Sequence, residues 1–518
     1  VNLAARLFLE ALRFDLEPED AVRRRAERAL ELGVGGFVVF GGDAELVATR
    51  VAEWRDAVRH RLWIASDLER GPGQQFDGLP ELPSPAGLAA CPDPVEAARS
   101  AGRITGRGAR DVGVNLVLAP VLDLDVDPRN PIVGTRSFGS RPDEVGRLGR
   151  AWIEACESEG AGACAKHFPG HGRTTADSHD ELPVVSAGRS ELAEDLEPFR
   201  QVADSVSAMM TAHVAYPALG SSRPATLEPR LLIDLLRDEM GFEGIVVTDA
   251  LNMGGFTDAV DLSGQSAGTA VGTADGAAAG AVAALLAGCD LLLYPADLEA
   301  SAAALDQASL ADSRVGDRLE ESLRRLEETA RRIRAQGPDD AESNVHATRL
   351  DFEDAERIAV SSIEFVGERP WRVRPAIPIR LETVWDDRPA PDRSPLGSIF
   401  AAELREEGWT VVEDSDETEM DGLEQIPTLL LVASTPQAWK GTASFTESGR
   451  AALDSILARS PNAWPIVFGH PRLLSEIRPD GAGMCAWGTE ETMERAAAAR
   501  LDAEVRRANG GTTGATYA

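Results

Sequence analysis

Over roughly its first 300 residues the chain alternates short apolar runs with amphipathic helical segments, and this alternation limits the folds open to it. The runs fall at 12–16, 36–40, 62–66, 114–118, 162–166, 208–213, 245–249 and 290–294. Each has the length of a strand and reads as a buried parallel strand. The segments between them have the period of a helix. Ser140-Arg-Pro-Asp143 reads as a capping box for a helix with Val145, Leu148, Trp152, Ile153 and Cys156 on one face. Thr226 is placed to cap a second helix that carries Leu231, Leu232, Leu235 and Leu236 and stops at Gly241. Eight strands alternating with helices over this length predict an α/β fold, a (β/α)8 TIM-like barrel, with an open doubly wound sheet as its competitor.

The barrel is expected to occupy 1–336. A Gly/Ala-rich stretch at 263–288 reads first as a loop, then as a small-residue helix before the last strand. A charged helix at 316–335 runs into Gln336-Gly-Pro-Asp-Asp340, a helix-stop signal that opens a linker at 337–350. From 351 to 518 a smaller α/β sandwich domain is expected. Its strands read at 379–384, 410–413, 428–433, 465–469 and 483–487, with helices at 398–407, 447–459 and 490–501.

Charge excludes several functions. Against 85 Asp and Glu stand 52 Lys and Arg, a formal net charge of −33. Such a surface repels nucleic acid and anionic membranes. Only Lys166 and Lys440 among the cations are lysines, which draws attention to what surrounds Lys166. The five cysteines form no C-x-x-C pair and read as small core residues, not a zinc site or disulfide framework. No apolar run reaches the ~18 residues of a membrane span. No basic segment followed by an apolar one is visible near Val1; the expected compartment is the cytoplasm, with a secreted form whose signal peptide is missing from this sequence as the alternative.

In a barrel of this kind chemistry sits at the carboxyl ends of the strands, and polar residues gather there. Run three ends at Asp67; run five ends in Lys166-His167-Phe-Pro-Gly-His171-Gly and continues to Asp177-Ser-His179; run six ends at His213; run seven ends at Asp249; Arg136 lies in the long segment after run four. A carboxylate carried into the barrel mouth, as Asp249 is, suits a nucleophile or an electrostatic stabiliser; its plainer alternative is a helix N-cap. Asp177 accepting from one imidazole nitrogen of His179 leaves the other for proton transfer. Lys166 and His167 can donate to hydroxyls, or Lys166 can belong to a buried ion pair. A metal site built from His167, His171, Asp177 and His179 is a different class of reading; its spacing is neither H-x-H nor H-E-x-x-H. A carbohydrate-binding pseudoenzyme is a third class, and would be expected to lose the nucleophile or the proton-transfer pair.

The motif Lys-His-Phe-Pro-Gly-His-Gly-x4-Asp-x-His resembles the signature of glycoside hydrolase family 3 β-N-acetylglucosaminidases of the NagZ-like branch. Gly35-Gly-Phe-Val-Val-Phe40, Ala119-Pro-Val-Leu-Asp123, Thr135-Arg-Ser-Phe138 and Gly241-Phe-Glu-Gly-Ile-Val-Val-Thr-Asp-Ala250 fit the same family. The resemblance implies that Asp249 is the nucleophile, that Asp177 and His179 form the acid/base pair, and that Asp67, Arg136, Lys166 and His167 hold the sugar. It implies no cofactor and no metal, and a small saccharide as substrate. One departure stands out. Family members often read Asp-x-Glu-Gly-Gly after strand three, whereas this chain reads Asp67-Leu-Glu-Arg-Gly-Pro-Gly73.

The expected activity is removal of terminal non-reducing β-linked N-acetylglucosamine, from cell-wall or chitin-derived saccharides, through a glycosyl-Asp intermediate. A neutral imidazole repels an anionic acceptor less than a carboxylate does, so a β-N-acetylglucosaminide phosphorylase using the same residues is the alternative, with β-glucosidase activity another.

Overall fold

In a computed structural model of the chain, residues 3–176, 178, 182–257, 274–337, 348–367, 375, 377–386, 395–412, 426–435, 440 and 442–509 are described. Asp177, His179 and most of the loop half of the Gly/Ala-rich stretch lie outside them.

Eight parallel strands form the first sheet: β1 (Phe8–Arg13), β2 (Gly36–Phe40), β3 (Trp63–Ser66), β4 (Leu116–Val117), β5 (Gly162–Phe168), β6 (Ala208–Thr211), β7 (Ile245–Thr248) and β8 (Leu292–Leu293). Their order is β7-β6-β5-β4-β3-β2-β1-β8. A parallel bridge between Val247 and Leu291 joins the two ends, so the sheet closes into the expected barrel. The open-sheet alternative is overturned by this closure.

The strands differ from the sequence reading at their ends. β1 begins four residues early, because Leu9 through Arg13 pair with Gly36 through Phe40 while Leu16 stands exposed in a turn. β4 shrinks to two residues ahead of Pro120, which has no N–H to give a ladder. β5 runs on to Phe168, so Lys166 and His167 lie within the strand. The helix Pro142–Ser158 buries Val145, Leu148, Trp152, Ile153 and Cys156 as expected. Its cap is different: Arg141 is the N-cap, without a side-chain bond, and Pro142 fills the first helical position. Thr226 caps nothing. It sits in a short 3-10 turn, and the helix Arg230–Glu239 starts later, after Pro229, and is wound i to i+5.

The second sheet contains β9 (Glu364–Val366), β10 (Ile379–Trp385), β11 (Val411–Val412), β12 (Thr428–Ser434), β13 (Trp464–Gly469) and β14 (Gly483–Cys485), in the order β11-β10-β12-β13-β14-β9. Alternate residues of β12 enter opposite cores: Leu429, Leu431 and Ala433 on one face, Leu430 and Val432 on the other. Both faces are therefore covered, as the apolar runs predict. The sequence reading missed β9, a short antiparallel edge strand with no fully buried residue to mark it. It also missed the helix Arg349–Ser362, whose Ala355 and Ile358 join the barrel core while Ala359 packs in the second core.

Further contacts fasten the two units. Arg472 Nη2 donates to Asp125 Oδ1 at 2.6 Å, and Ser84 Oγ donates to the Trp487 carbonyl at 2.8 Å. Arg70 pairs with Glu490. All five cysteines are free and buried, as expected of core residues. Among the described residues no helix is long and apolar enough to cross a membrane.

Candidate active site

Asp67, Lys166, His167, Arg136 and Asp249 all line one cavity of about 1,090 Å³ at the carboxyl ends of the barrel strands. Consecutive side chains of a regular strand face opposite ways, yet Lys166 and His167 both reach this cavity. The pairing of β5 with β6 shifts register between Ala165 and Phe168, an irregularity of the kind that re-aims side chains beside active sites.

Lys166 is 3% exposed, and its Nζ lies 2.6 Å from Asp67 Oδ1 and 2.7 Å from Glu69 Oε1. Arg136 grips the same Glu69 with both prongs, Nε to Oε2 at 2.9 Å and Nη2 to Oε1 at 2.8 Å, and Nη1 donates to the Ile132 carbonyl. Burial pushes the Glu69 carboxyl up, but the Arg136 and Lys166 charges outweigh it and hold the group well below the usual range. Burial likewise lowers Lys166, and the Asp67 and Glu69 charges more than reverse that. The sequence shows Glu69 two residues after Asp67 but not the cations it meets, which come from 67 and 97 residues downstream.

Asp123 is the second residue that sequence reasoning left without a role. Fully buried, it accepts from His167 Nδ1 at 2.7 Å and from the His171 backbone N–H at 2.6 Å. Burial raises its carboxyl, and His167 brings it below the ordinary value. An ionised carboxylate only accepts, so Nδ1 of His167 carries the proton and Nε2 is left for a ligand. The signal was a carboxylate at the end of an apolar run, which burial permits only with partners.

His171 is 1% exposed, and both ring nitrogens are engaged, Nδ1 with Thr174 Oγ1 at 2.8 Å and Nε2 with Ser178 Oγ at 3.0 Å. Burial draws its pKa down to about 4, so the ring is neutral at pH 7. With both nitrogens committed to hydroxyls, His171 is a structural brace, which removes one ligand from the metal reading. His213 is similarly committed, Nδ1 to Thr226 Oγ1 at 2.7 Å and Nε2 to the Ala250 carbonyl at 3.1 Å. This bond steadies the turn that carries Asp249.

Asp249 follows β7, and its Oδ1 accepts from the adjacent Ala250 N–H at 2.8 Å. The next helical residues begin at Gly254, too far along for Asp249 to be an N-cap. The N-cap alternative is therefore overturned. Ser178, the residue between Asp177 and His179, lines the cavity. The second unit supplies another wall, including Trp385, Glu490 and Glu491.

Residues 16–328 match the model of the glycosyl hydrolase family 3 N terminal domain. The chain is 35% identical over 331 residues to a β-hexosaminidase of Alkalilimnicola ehrlichii, a match covering 59% of this chain and 90% of that protein. It is 40% identical over 167 residues to β-hexosaminidase A of Pseudoalteromonas piscicida, covering 30% of this chain and 28% of that protein. Among solved structures, a family 3 β-N-acetylglucosaminidase from Paenibacillus superposes with a TM-score of 0.79 at 27% identity, over 97% of this chain and 96% of that one. Two structures of the β-glucoside phosphorylase BglX superpose at 0.80 and 0.82 with 20% identity, over 97% of this chain and 91–92% of that one, which is a likeness of fold.

Proposed function

The chain belongs to glycosyl hydrolase family 3, and we propose that it is a retaining glycosidase that removes terminal β-linked N-acetylglucosamine from saccharides. The observation that carries this reading is the convergence of Asp249, Lys166, His167 and Asp67 on one cavity at the strand ends. Residues 1–336 are the catalytic unit in this reading, and 351–518 the accessory one.

In the first step an Asp249 carboxylate oxygen attacks the anomeric carbon. The bond to the leaving oxygen breaks as protonated His179 gives that oxygen its proton. In the second, neutral His179 takes a proton from water, the water oxygen bonds to the anomeric carbon, and the ester to Asp249 breaks. The sugar leaves with its configuration retained. Unperturbed histidine titrates near ~6.5, so one residue serves both steps at neutral pH. Asp177 holds the ring and stabilises the imidazolium. Lys166, His167 and Asp67 meet the sugar hydroxyls. Arg136 takes a changed role: with both prongs on Glu69, it positions the carboxylate that seats Lys166.

The test compares aryl β-N-acetylglucosaminide with aryl β-glucoside, with and without phosphate and with EDTA. Hydrolysis of the first, unaffected by phosphate or chelator, is the expected result. Release of a sugar phosphate, or preference for the glucoside, overturns it.

A further inference from the structure

The cavity is larger than one sugar needs. Its volume of about 1,090 Å³ exceeds the range of about 300–1,000 Å³ that holds drug-sized ligands, and residues of both units line it. The part beyond the terminal sugar is where the remainder of the substrate, the aglycone, lies. Its chemistry can be read from the charges there.

Among the described lining residues, carboxylates outnumber Lys and Arg by nine to four. Each of the four cations already has a carboxylate: Arg136 on Glu69, Lys166 on Asp67 and Glu69, Arg70 on Glu490, and Arg495 on Glu403 at 2.6 Å. Glu356 and Glu491, at the mouth, form no salt bridge with a described residue. Glu490 adds an observation independent of the charge count. Its side chain is 3% exposed, Oε1 takes Arg70, and Oε2 is buried with no hydrogen-bond partner among the described residues. A buried carboxylate oxygen without a donor is costly until a ligand hydroxyl or ammonium supplies one. The loop carrying Arg70 is the one whose sequence departs from the family pattern, so the Arg70–Glu490 contact across the two units belongs to that departure.

We propose that the second unit and the 67–81 loop together form an aglycone compartment selective for neutral or cationic amino-sugar saccharides, which turns away aglycones bearing a carboxylate. Among the described residues an incoming anion finds carboxylates in excess and no cation without a partner; an ammonium or hydroxyl finds acceptors. Of the two sources the sequence left open, this favours chitin-type saccharides, acetylated or partly deacetylated, over wall fragments carrying lactyl or peptide carboxylates. The inference rests on the N-acetylglucosaminidase reading.

The experiment uses three disaccharides with the same terminal N-acetylglucosamine, β-1,4-linked to N-acetylglucosamine, to glucosamine, or to the 3-O-lactyl acid of N-acetylglucosamine. They are ranked by kcat/KM with the full chain and by Kd to the Asp249→Asn chain, with aryl N-acetylglucosaminide as the turnover control. The neutral and cationic compounds are expected to lead the acid by about tenfold or more in dilute buffer. The gap should narrow at ~1 M salt, where the screening length falls to ~3 Å. Glu356→Gln with Glu491→Gln should narrow it as well, and both are surface changes that leave packing alone. An acid bound and cleaved as well as the neutral compound, or a gap indifferent to salt and to these variants, overturns the proposal. Failure of the aryl control sinks the activity instead, and the Kd ranking still decides the compartment.

Discussion

The Glu69 carboxylate accepts both prongs of the Arg136 guanidinium, at 2.9 and 2.8 Å, deep under the barrel mouth. The fork geometry fixes the carboxylate plane, and that plane sets where Lys166 rests. Two cations, the buried Lys166 and the half-buried Arg136, share Glu69, with Asp67 as a second acceptor for Lys166 alone.

Glu69→Gln removes the negative charge between those cations. The variant is expected to be destabilised by about 3–5 kcal/mol, the usual result of breaking a buried pair from one side. KM for the aryl substrate should rise as well, because Lys166 loses its seat. Chemical denaturation and steady-state kinetics measure the two effects. Unchanged KM in a folded variant would confine Glu69 to stability.

Lys166→Arg keeps the charge and should still be damaging. The ammonium fits between Asp67 Oδ1 and Glu69 Oε1 at 2.6 and 2.7 Å with 3% exposure, and a planar guanidinium is too large for that space. A displacement on the order of 1 Å lowers kcat/KM about 10²-fold. Near-normal KM would argue for an ion pair of purely structural use.

His179→Ala should separate substrates by their leaving groups. A sugar alcohol needs its oxygen protonated, whereas a nitrophenolate departs unaided. Single-turnover glycosylation should fall about 10²–10⁴-fold on a disaccharide and far less on an aryl glycoside. Equal losses on both would remove His179 from acid catalysis.

His171 should impose a pH dependence on stability. Its folded pKa of about 4 lies below the ordinary 6.5, so the unfolded chain binds the extra proton between those values. The stability from the buried neutral ring is complete above pH 6.5 and is lost as pH falls toward 4, by about 3 kcal/mol. Asp195, raised to about 6 by burial, works in the opposite direction over part of that window. The quantity to follow is therefore wild type minus His171→Asn, which should shrink on acidification. A difference constant from pH 7.5 to 4 contradicts the assignment.

The barrel was legible because burial on both faces writes itself into the chain as apolar runs, and β2 was placed to the residue. That Asp249, Lys166 and His167 line the cavity was legible for a related reason: a polar residue closing such a run is carried toward the strand end, where the barrel has its mouth. Strand ends were less so, since pairing with a neighbour decides them, as Gly36 through Phe40 decided β1. Tertiary structure alone brought Glu69 to Arg136 and Lys166, and Asp123 to His167, across separations of 44 to 97 residues. Partners so distant leave no local pattern. The same holds for the wall that Glu490 and Glu491 add to the cavity: their run reads only as a helix start, and its meaning comes from the domain packed against it. Propensity and hydrophobic period act between near neighbours in the chain, whereas buried charge is satisfied by whatever the fold brings within hydrogen-bond distance.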